Sequence, residues 1–322
     1  MANKKEIVNQ FIVCGELLDF VNVKSATSKN GSEYFKYTMR VETNKETGEI
    51  HDVEYFEMKY NYDGSENSKY KAMCTAYENY RTRVEDEVGE IVRLNGRLKT
   101  NSYISQGEIV NKIVLSGSYM THKEENDERD EHYFDPCAIF KGVIFIDKME
   151  ELEDKVIISA LINEYKSKKG SKGHLVELIA DSKDTISGVK SMFKEDMIIP
   201  IGARLVDLVE TVFLEEEKTQ ELEKKEMVGF GTGLDDIKEY NEWVEKENER
   251  RKVLREEGIK VHKETLSIIG CTAPINEDEV EEKGLPFEKM DIDEMFDDIY
   301  RIQDELNAEL QMQQVNDQDV PF

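Results

Sequence analysis

The chain has 322 residues, 35% of them charged, and a formal net charge of −27, so it is a self-repelling, soluble sequence long enough for two domains with real cores. The acid is uneven: residues 1–120 and 137–214 carry −2 each, 121–136 carry −5 and 215–322 carry −18, which leaves room for a basic face on either near-neutral block. Four scattered cysteines without a C-x-x-C pair and only five histidines argue against a zinc site or a disulfide framework. No apolar run suits a signal peptide or a membrane span, so a reduced, cytoplasmic protein is expected.

In chain order, Phe11 to Val21 is β-rich, with Gly15 placed where a strand bends or another backbone comes close. The turn Ser28 to Ser32 contains Asn30-Gly31, which supplies the positive φ of a hairpin. In the strand from Gly31 to Val41, Tyr34, Lys36, Thr38 and Arg40 alternate with Phe35, Tyr37, Met39 and Val41. Successive strand side chains point to opposite faces, so one face is apolar and the other aromatic and cationic. A ring with two cations suits a flexible polyanion with stackable bases; an ordinary half-exposed strand is the plainer alternative. A second turn, Asn44 to Gly48, leads into Asp52 to Tyr60, where Val53, Tyr55, Glu57 and Lys59 alternate with Phe56, Met58 and Tyr60. Tyr70 to Tyr80 has Met73, Ala76, Tyr77 and Tyr80 at helical spacing. After Gly89, Ile91, Val92, Leu94 and Leu98 make a strand whose other face carries Arg93, Asn95, Arg97 and Lys99. A loop with Tyr103 and Gly107 precedes a strand from Ile109 to Leu115. Three strands, a helix and two strands is the order an OB-fold barrel requires.

These residues resemble the bacterial and bacteriophage single-stranded DNA-binding protein family. The likeness rests on the bent strand with Gly15, the hairpin Lys29-Asn30-Gly31 into Tyr34 to Val41, and the block from Gly89 to Leu98 after a helix, and it covers about the first third of the chain. It implies a non-catalytic protein that coats single-stranded DNA. The family's binding face commonly includes tryptophans, whereas the only one here, Trp243, lies outside the predicted barrel. Stacking then falls to Tyr34, Tyr55, Tyr60, Tyr62 or Tyr103, and phosphate contact to Lys36, Arg40, Lys59, Arg93, Arg97 and Lys99.

Residues 121–136 read as an acidic linker after a first domain at 1–120. The first pattern then recurs: Ala138 to Ile144 matches the bent strand around Gly142, Ser167 to Ser171 matches Ser28 to Ser32, and Gly202 to Leu208 matches the block from Gly89. A second OB-like domain is expected at 137–233, closed by Lys225 to Phe230 or by the later run 261–269. Its hairpin bears Lys166, Lys168, Lys169 and Lys172, either a phosphate-contacting finger or a turn that lysines merely solvate. The fold class expected is mainly β with added helices: two OB-fold-like five-stranded barrels and a helical, acidic C-terminal region at 234–314. Leu234 to Glu257 reads as a helix, and Gly229 to Gly233 as a flexible turn, since it lacks the spacing of a phosphate loop. Asp291 and Glu294 are spaced as a capping box ahead of an apolar stripe, Ile292, Met295, Phe296, Ile299, Leu306 and Leu310, which packs on its own protein or engages a partner or a second subunit, as in a homo-oligomer.

The chain ends Asn316-Asp-Gln-Asp-Val-Pro-Phe322. A terminal Phe offers a ring and a carboxylate to a pocket with an apolar floor and a basic rim. Residues 315–322 are similar to the acidic tip by which single-stranded DNA-binding proteins recruit replication, recombination and repair enzymes. The resemblance assigns partner contact to Asp317, Asp319, Val320, Pro321 and Phe322, and the extra domain points to a phage-type member. No nucleophile motif or metal-ligand spacing stands out, so no cofactor and no catalysis are expected. The competing reading is an acidic OB-fold interaction protein, a DNA mimic or scaffold that does not itself bind DNA.

Overall fold

A computed structural model describes residues 8–29, 31–105, 108–125, 127–167, 170–212, 240–249, 252 and 259–318. The chain divides into two compact units, Met1–Asp207 with Glu264–Phe322, and Leu208–Lys263. The fold is mainly β with added helices.

The first half of the large unit runs β1 (Asn9–Thr27), β2 (Glu33–Asn44), β3 (Glu49–Met58), α1 (Ser68–Asn79), α2 (Arg83–Asp86), β4 (Ile91–Ser105) and β5 (Glu108–His122). The second runs β6 (Cys137–Glu151), β7 (Val156–Ser167), β8 (Gly170–Ala180), α3 (Lys183–Met192), β9 (Ile198–Val212) and β10 (Ile259–Cys271). Hydrogen bonding orders the strands β2-β3-β5-β4-β1-β6-β7-β8-β10-β9, with further pairings of β2 to β1 and β6 to β9. Each half therefore repeats one scheme, in which its third and fifth strands pair in parallel and its fourth returns antiparallel to its first. The halves are not separate bodies on a linker, since β1 and β6 pair antiparallel from Asn9↔Gly142 to Cys14↔Cys137 and make one ten-stranded sheet. The expected linker docks instead: Phe134 is buried, and Arg93 donates to the Tyr133 carbonyl at 2.8 Å.

Strand periodicity decides the core. Phe35, Tyr37, Met39 and Val41 of β2 point inward with Phe11, Val13 and Leu17 of β1, and the cluster runs on through Phe140, Ile144, Ile158 and Leu178 into the second half. Gly15 marks a close crossing, because a Cβ there would lie 2.2 Å from the Glu42 carbonyl oxygen. Helix α1 is capped by Asn67, whose side chain accepts from the Lys69 amide, and buries Met73 and Ala76.

Two repeat assignments change. Ser167 to Ser171 spans the end of the second strand and the start of the third strand of its half, so its counterpart is the connection between β2 and β3 rather than Ser28 to Ser32. The counterpart of Ser28 to Ser32 is Leu152-Glu-Asp-Lys155. Gly202 lies within β9, opposite Lys141, as Gly96 lies within β4, opposite Phe11, whereas Gly89 precedes its strand. The later of the two candidate closing runs is the strand β10, which pairs with β8 at Leu266↔Leu178; Lys225 to Phe230 and Gly229 to Gly233 lie outside the described residues.

In the smaller unit, residues 240–249 form helix α4, with Val244 buried and Trp243 half exposed, its ring 5.9 Å from Tyr240. Back in the large unit, α5 (Glu277–Lys283) precedes the long α6 (Lys289–Gln318). Asp291 and Glu294 do not form a capping box: Asp291 is buried and accepts from the Ser171 hydroxyl at 2.6 Å, while Glu294 accepts from the Ser171 amide at 3.0 Å. The stripe packs on its own protein, with Met295 buried in a second cluster with Leu161, Val143, Ile198, Val280 and Phe287, flanked by Ile292, Phe296 and Ile299. No described helix is long and apolar enough to cross a membrane.

Candidate nucleic-acid interface

The alternation read from β2 is realised. With Phe35, Tyr37, Met39 and Val41 inside, Lys36 is exposed and Tyr34 and Arg40 are half exposed on the outer face, although Thr38 is buried. Outer neighbours follow from the ladders. Tyr34 faces Met58, Lys36 faces Phe56 and Arg40 faces Asp52 on β3, while Lys24 of β1 lies opposite Lys36. The Tyr34 and Phe56 rings meet at 5.3 Å with a 37° tilt, and Phe56 is 54% exposed. Lys24, Lys29 and Lys36 are exposed and carry no ion pair among the described residues. Like charges directly opposite one another on a sheet are destabilising, so Lys24 facing Lys36 is a cost that an anionic ligand would offset. The row Lys24, Lys36, Phe56 therefore crosses three strands with two uncompensated cations beside an open ring.

Phe56 was overlooked because β3 is apolar at both parities, and the strand pattern alone does not choose its inner face. The choice is made by a residue of β5 on the inner side of the sheet. Tyr55 is buried over Gly117, where a Cβ would fall 2.2 Å from the ring, and its hydroxyl donates to the Tyr119 carbonyl at 3.2 Å. Tyr55 is thus a core residue and not a stacking platform; burial raises its phenol pKa well above the ordinary value. Beyond β3, Tyr60 is half exposed and Tyr62 fully exposed on the turn that ends at Ser65, a continuation of the aromatic edge. Lys59, on the same edge, is held by Glu33 at 2.8 Å and lies 5.5 Å from the Tyr60 ring.

Other predicted cations are engaged within the protein. Arg40 makes a two-pronged pair with Asp52 at 2.9 and 3.0 Å, which leaves it on the face but neutralised. Arg93 lies over the Tyr133 ring at 4.7 Å. Arg97 donates to the Glu164 carbonyl at 3.0 Å, and Lys99 reaches the Glu164 carboxylate at 2.7 Å. Arg97 and Lys99 thus reach the second half, and Arg93 the segment between the halves, while Arg97 stays exposed. Lys172 also reaches Glu164, at 3.3 Å, and His174 does so at 3.0 Å. The His174 hydrogen bond, ahead of Lys99 and Lys172, holds the Glu164 carboxyl far below its ordinary range against the opposing pull of burial. Tyr103 is exposed on the β4–β5 hairpin, apart from the row. Lys168, Lys169 and the side chain of Lys166 lie outside the described residues, as do Asp319, Val320, Pro321, Phe322 and the side chain of Asp317. Among the described residues, no group of three or more His, Cys, Asp or Glu could hold a metal ion.

The sequence pattern that defines the YorF family matches residues 6–279. The chain belongs to the YorF family. A comparison with curated proteins finds no match. Among solved structures, this YorF-family chain is similar to the single-stranded DNA binding protein from Thermus aquaticus, at 10% identity and a TM-score of 0.42, over 84% of this chain and 95% of that one. It is also similar to the mitochondrial single-stranded DNA binding protein Rim1 from S. cerevisiae, at 13% identity and a TM-score of 0.23, over 36% and 95%. A small single-stranded DNA-binding protein from Streptomyces coelicolor matches at 14% identity and a TM-score of 0.22, over 35% and 93%.

Proposed function

We propose that this protein binds single-stranded DNA, without catalysis, through the outer face of β1, β2 and β3. The observation that carries the reading is the row Lys24, Lys36, Phe56: two opposed, unpaired cations beside an exposed ring that Tyr34 supports. Bases stack on Phe56 and Tyr34, with Tyr60 and Tyr62 extending the platform, while Lys24, Lys29 and Lys36 neutralise phosphates. Each five-stranded half is read as an OB-like barrel, since its strand order and closing pairings suit that topology. The terminal residues 315–322 serve as a recruiting tip for replication, recombination or repair enzymes, on the strength of the closing Val320-Pro321-Phe322 with its two nearby aspartates. A phage-type role accords with the added second half and helical region.

The test is a titration of a fluorescent oligothymidine at several salt concentrations, beside the same sequence as duplex. Single-strand preference is expected. Phe56→Ala should weaken binding by about 1–3 kcal/mol. Lys24→Ala with Lys36→Ala should flatten the salt dependence by about 0.7 per lost phosphate contact. A chain without residues 315–322 should bind the strand as well as the full chain and lose capture of partner enzymes. Equal binding to duplex, or no effect of either set of variants, refutes the assignment.

A further inference from the structure

We infer that the chain carries one strand-binding face rather than two, and that the counterpart face on the second half is the seat of the chain's own C-terminal helix; the inference rests on the function proposed above. The repeat makes the comparison direct. Lys36 and Ser159 stand the same number of positions before the last residue of their strands, and Phe56 and Glu177 the same number after the first residue of theirs. Across β6, β7 and β8 the counterpart row is Lys148, Ser159, Glu177. Where the first half opposes cation to cation and ends on a ring, the second ends on an exposed carboxylate and has a hydroxyl at its centre. Ser159 donates to Asp147 at 3.4 Å, adding a second carboxylate beside the row. The turn at the end of the arm changes in the same sense, from Ser28-Lys29 to Leu152-Glu153-Asp154. Opposed lysines on one half become one lysine with two carboxylates on the other, a weaker attraction for a polyanion.

The remainder of the second face is covered. Met295 of α6 sits over Gly173, where a Cβ would lie 2.5 Å from its sulfur, and the Asn163 side chain donates to that sulfur at 3.4 Å. Leu161, which points outward from β7, is completely buried in the α6 cluster. At the turn end of the β7–β8 ladder the two carboxylates of Asp291 and Glu294 grip Ser171. A nucleic acid approaching Ser171 from the helix side would encounter the carboxylates of Asp291 and Glu294.

Native mass spectrometry with an oligothymidine of about eight nucleotides, long enough for a single OB-type face, separates the possibilities by counting strands per chain. One strand per chain is expected at saturation. The double variant Lys36→Ala, Phe56→Ala should lose that strand, with an affinity drop of at least about tenfold. Glu177→Ala, on the opposite half, should leave both count and affinity unchanged. Two strands per chain, or a full-strength site surviving in the double variant, overturns the inference while leaving single-strand binding intact. An absence of binding by the unaltered chain overturns the proposed function and this inference with it.

Discussion

Glu16 is the most heavily engaged carboxylate near the start of the chain. It is buried, receives two hydrogen bonds from Arg83 at 3.0 and 2.7 Å, one from the Gly89 amide at 2.9 Å, and faces Lys45 at 2.5 Å; Arg83 also bonds Glu42. The Arg83 hydrogen bonds, more than the opposing burial, hold its carboxyl at about 2. A depressed carboxylate contributes stability that is present above its unfolded value and lost as pH falls through the folded one. Acid denaturation should accordingly sharpen between about pH 4.5 and 2. Arg83→Ala, which removes two of the hydrogen bonds to Glu16 but leaves Lys45 and the Gly89 amide, should cost about 1–3 kcal/mol at neutral pH in urea unfolding. A loss below about 1 kcal/mol would show that water replaces the guanidinium. None of this was legible from residue order, because Glu16, Glu42, Arg83 and Gly89 meet only through the close crossing at Gly15. The Tyr34, Lys36 and Arg40 face was legible, since strand periodicity is local. Tyr55 was misplaced for the converse reason: its inward turn depends on Gly117, a residue distant in sequence.

At the scale of elements, β1 to β5 and α1 were legible from alternation, turn residues and helical spacing, although the strands extend beyond the expected limits. Expected Ile109 to Leu115 became Glu108–His122, because β4 offers a partner along its whole length. The cations of β4 show where reading a strand in isolation fails. Arg93, Arg97 and Lys99 do share a face, yet that face abuts Tyr133 of the connecting segment and Glu164 of the other half. Charge on a strand indicates a ligand only if no other element reaches it. Helix α6 illustrates the same point with apolar residues, since its stripe left open whether chain or partner would cover it. Met295 is fully buried against Gly173, Asn163 and Leu161, so Met295→Ala should cost about 2–5 kcal/mol and loosen α6. Hydrogen exchange along residues 289–312 would register it. Unchanged protection there would mean that the helix is held by the Ser171 contacts alone.

For the whole molecule, the ties between the two halves include the β1–β6 ladder, the Glu164 cluster and a buried clasp. In the clasp, His51 of β3 is fully buried, with Nδ1 2.9 Å from Glu264 of β10 and Nε2 3.9 Å from Glu49, whose other oxygen meets Arg204 of β9 at 2.7 Å. Asp207 of β9 adds a further negative charge. Burial, the largest single influence, opposes the imidazolium, but the Glu264 hydrogen bond and the charges of Glu264, Glu49 and Asp207 together raise its pKa. A raised histidine contributes stability that is complete below its unfolded value near 6.5 and lost as pH rises through the folded one. Thermal stability should therefore decline as pH rises above about 6.5, and His51→Gln should remove that slope. A slope that survives the substitution places its origin elsewhere.

The ladder from Asn9 to Cys14 has a mechanical consequence. Four of the six residues of β1 that bond to β6, Phe11 to Cys14, also bond along β4, so the first strand of one half is an interior strand of the combined sheet. A strand fixed on both edges cannot act as a hinge. A nucleic acid lying across Lys24, Lys36 and Phe56 meets a surface whose curvature is set before contact, and the ordering entropy of binding falls on the polynucleotide. Along a coated strand, the spacing from one chain to the next would then be a fixed length, like the tooth of a rack, rather than an average over protein conformations.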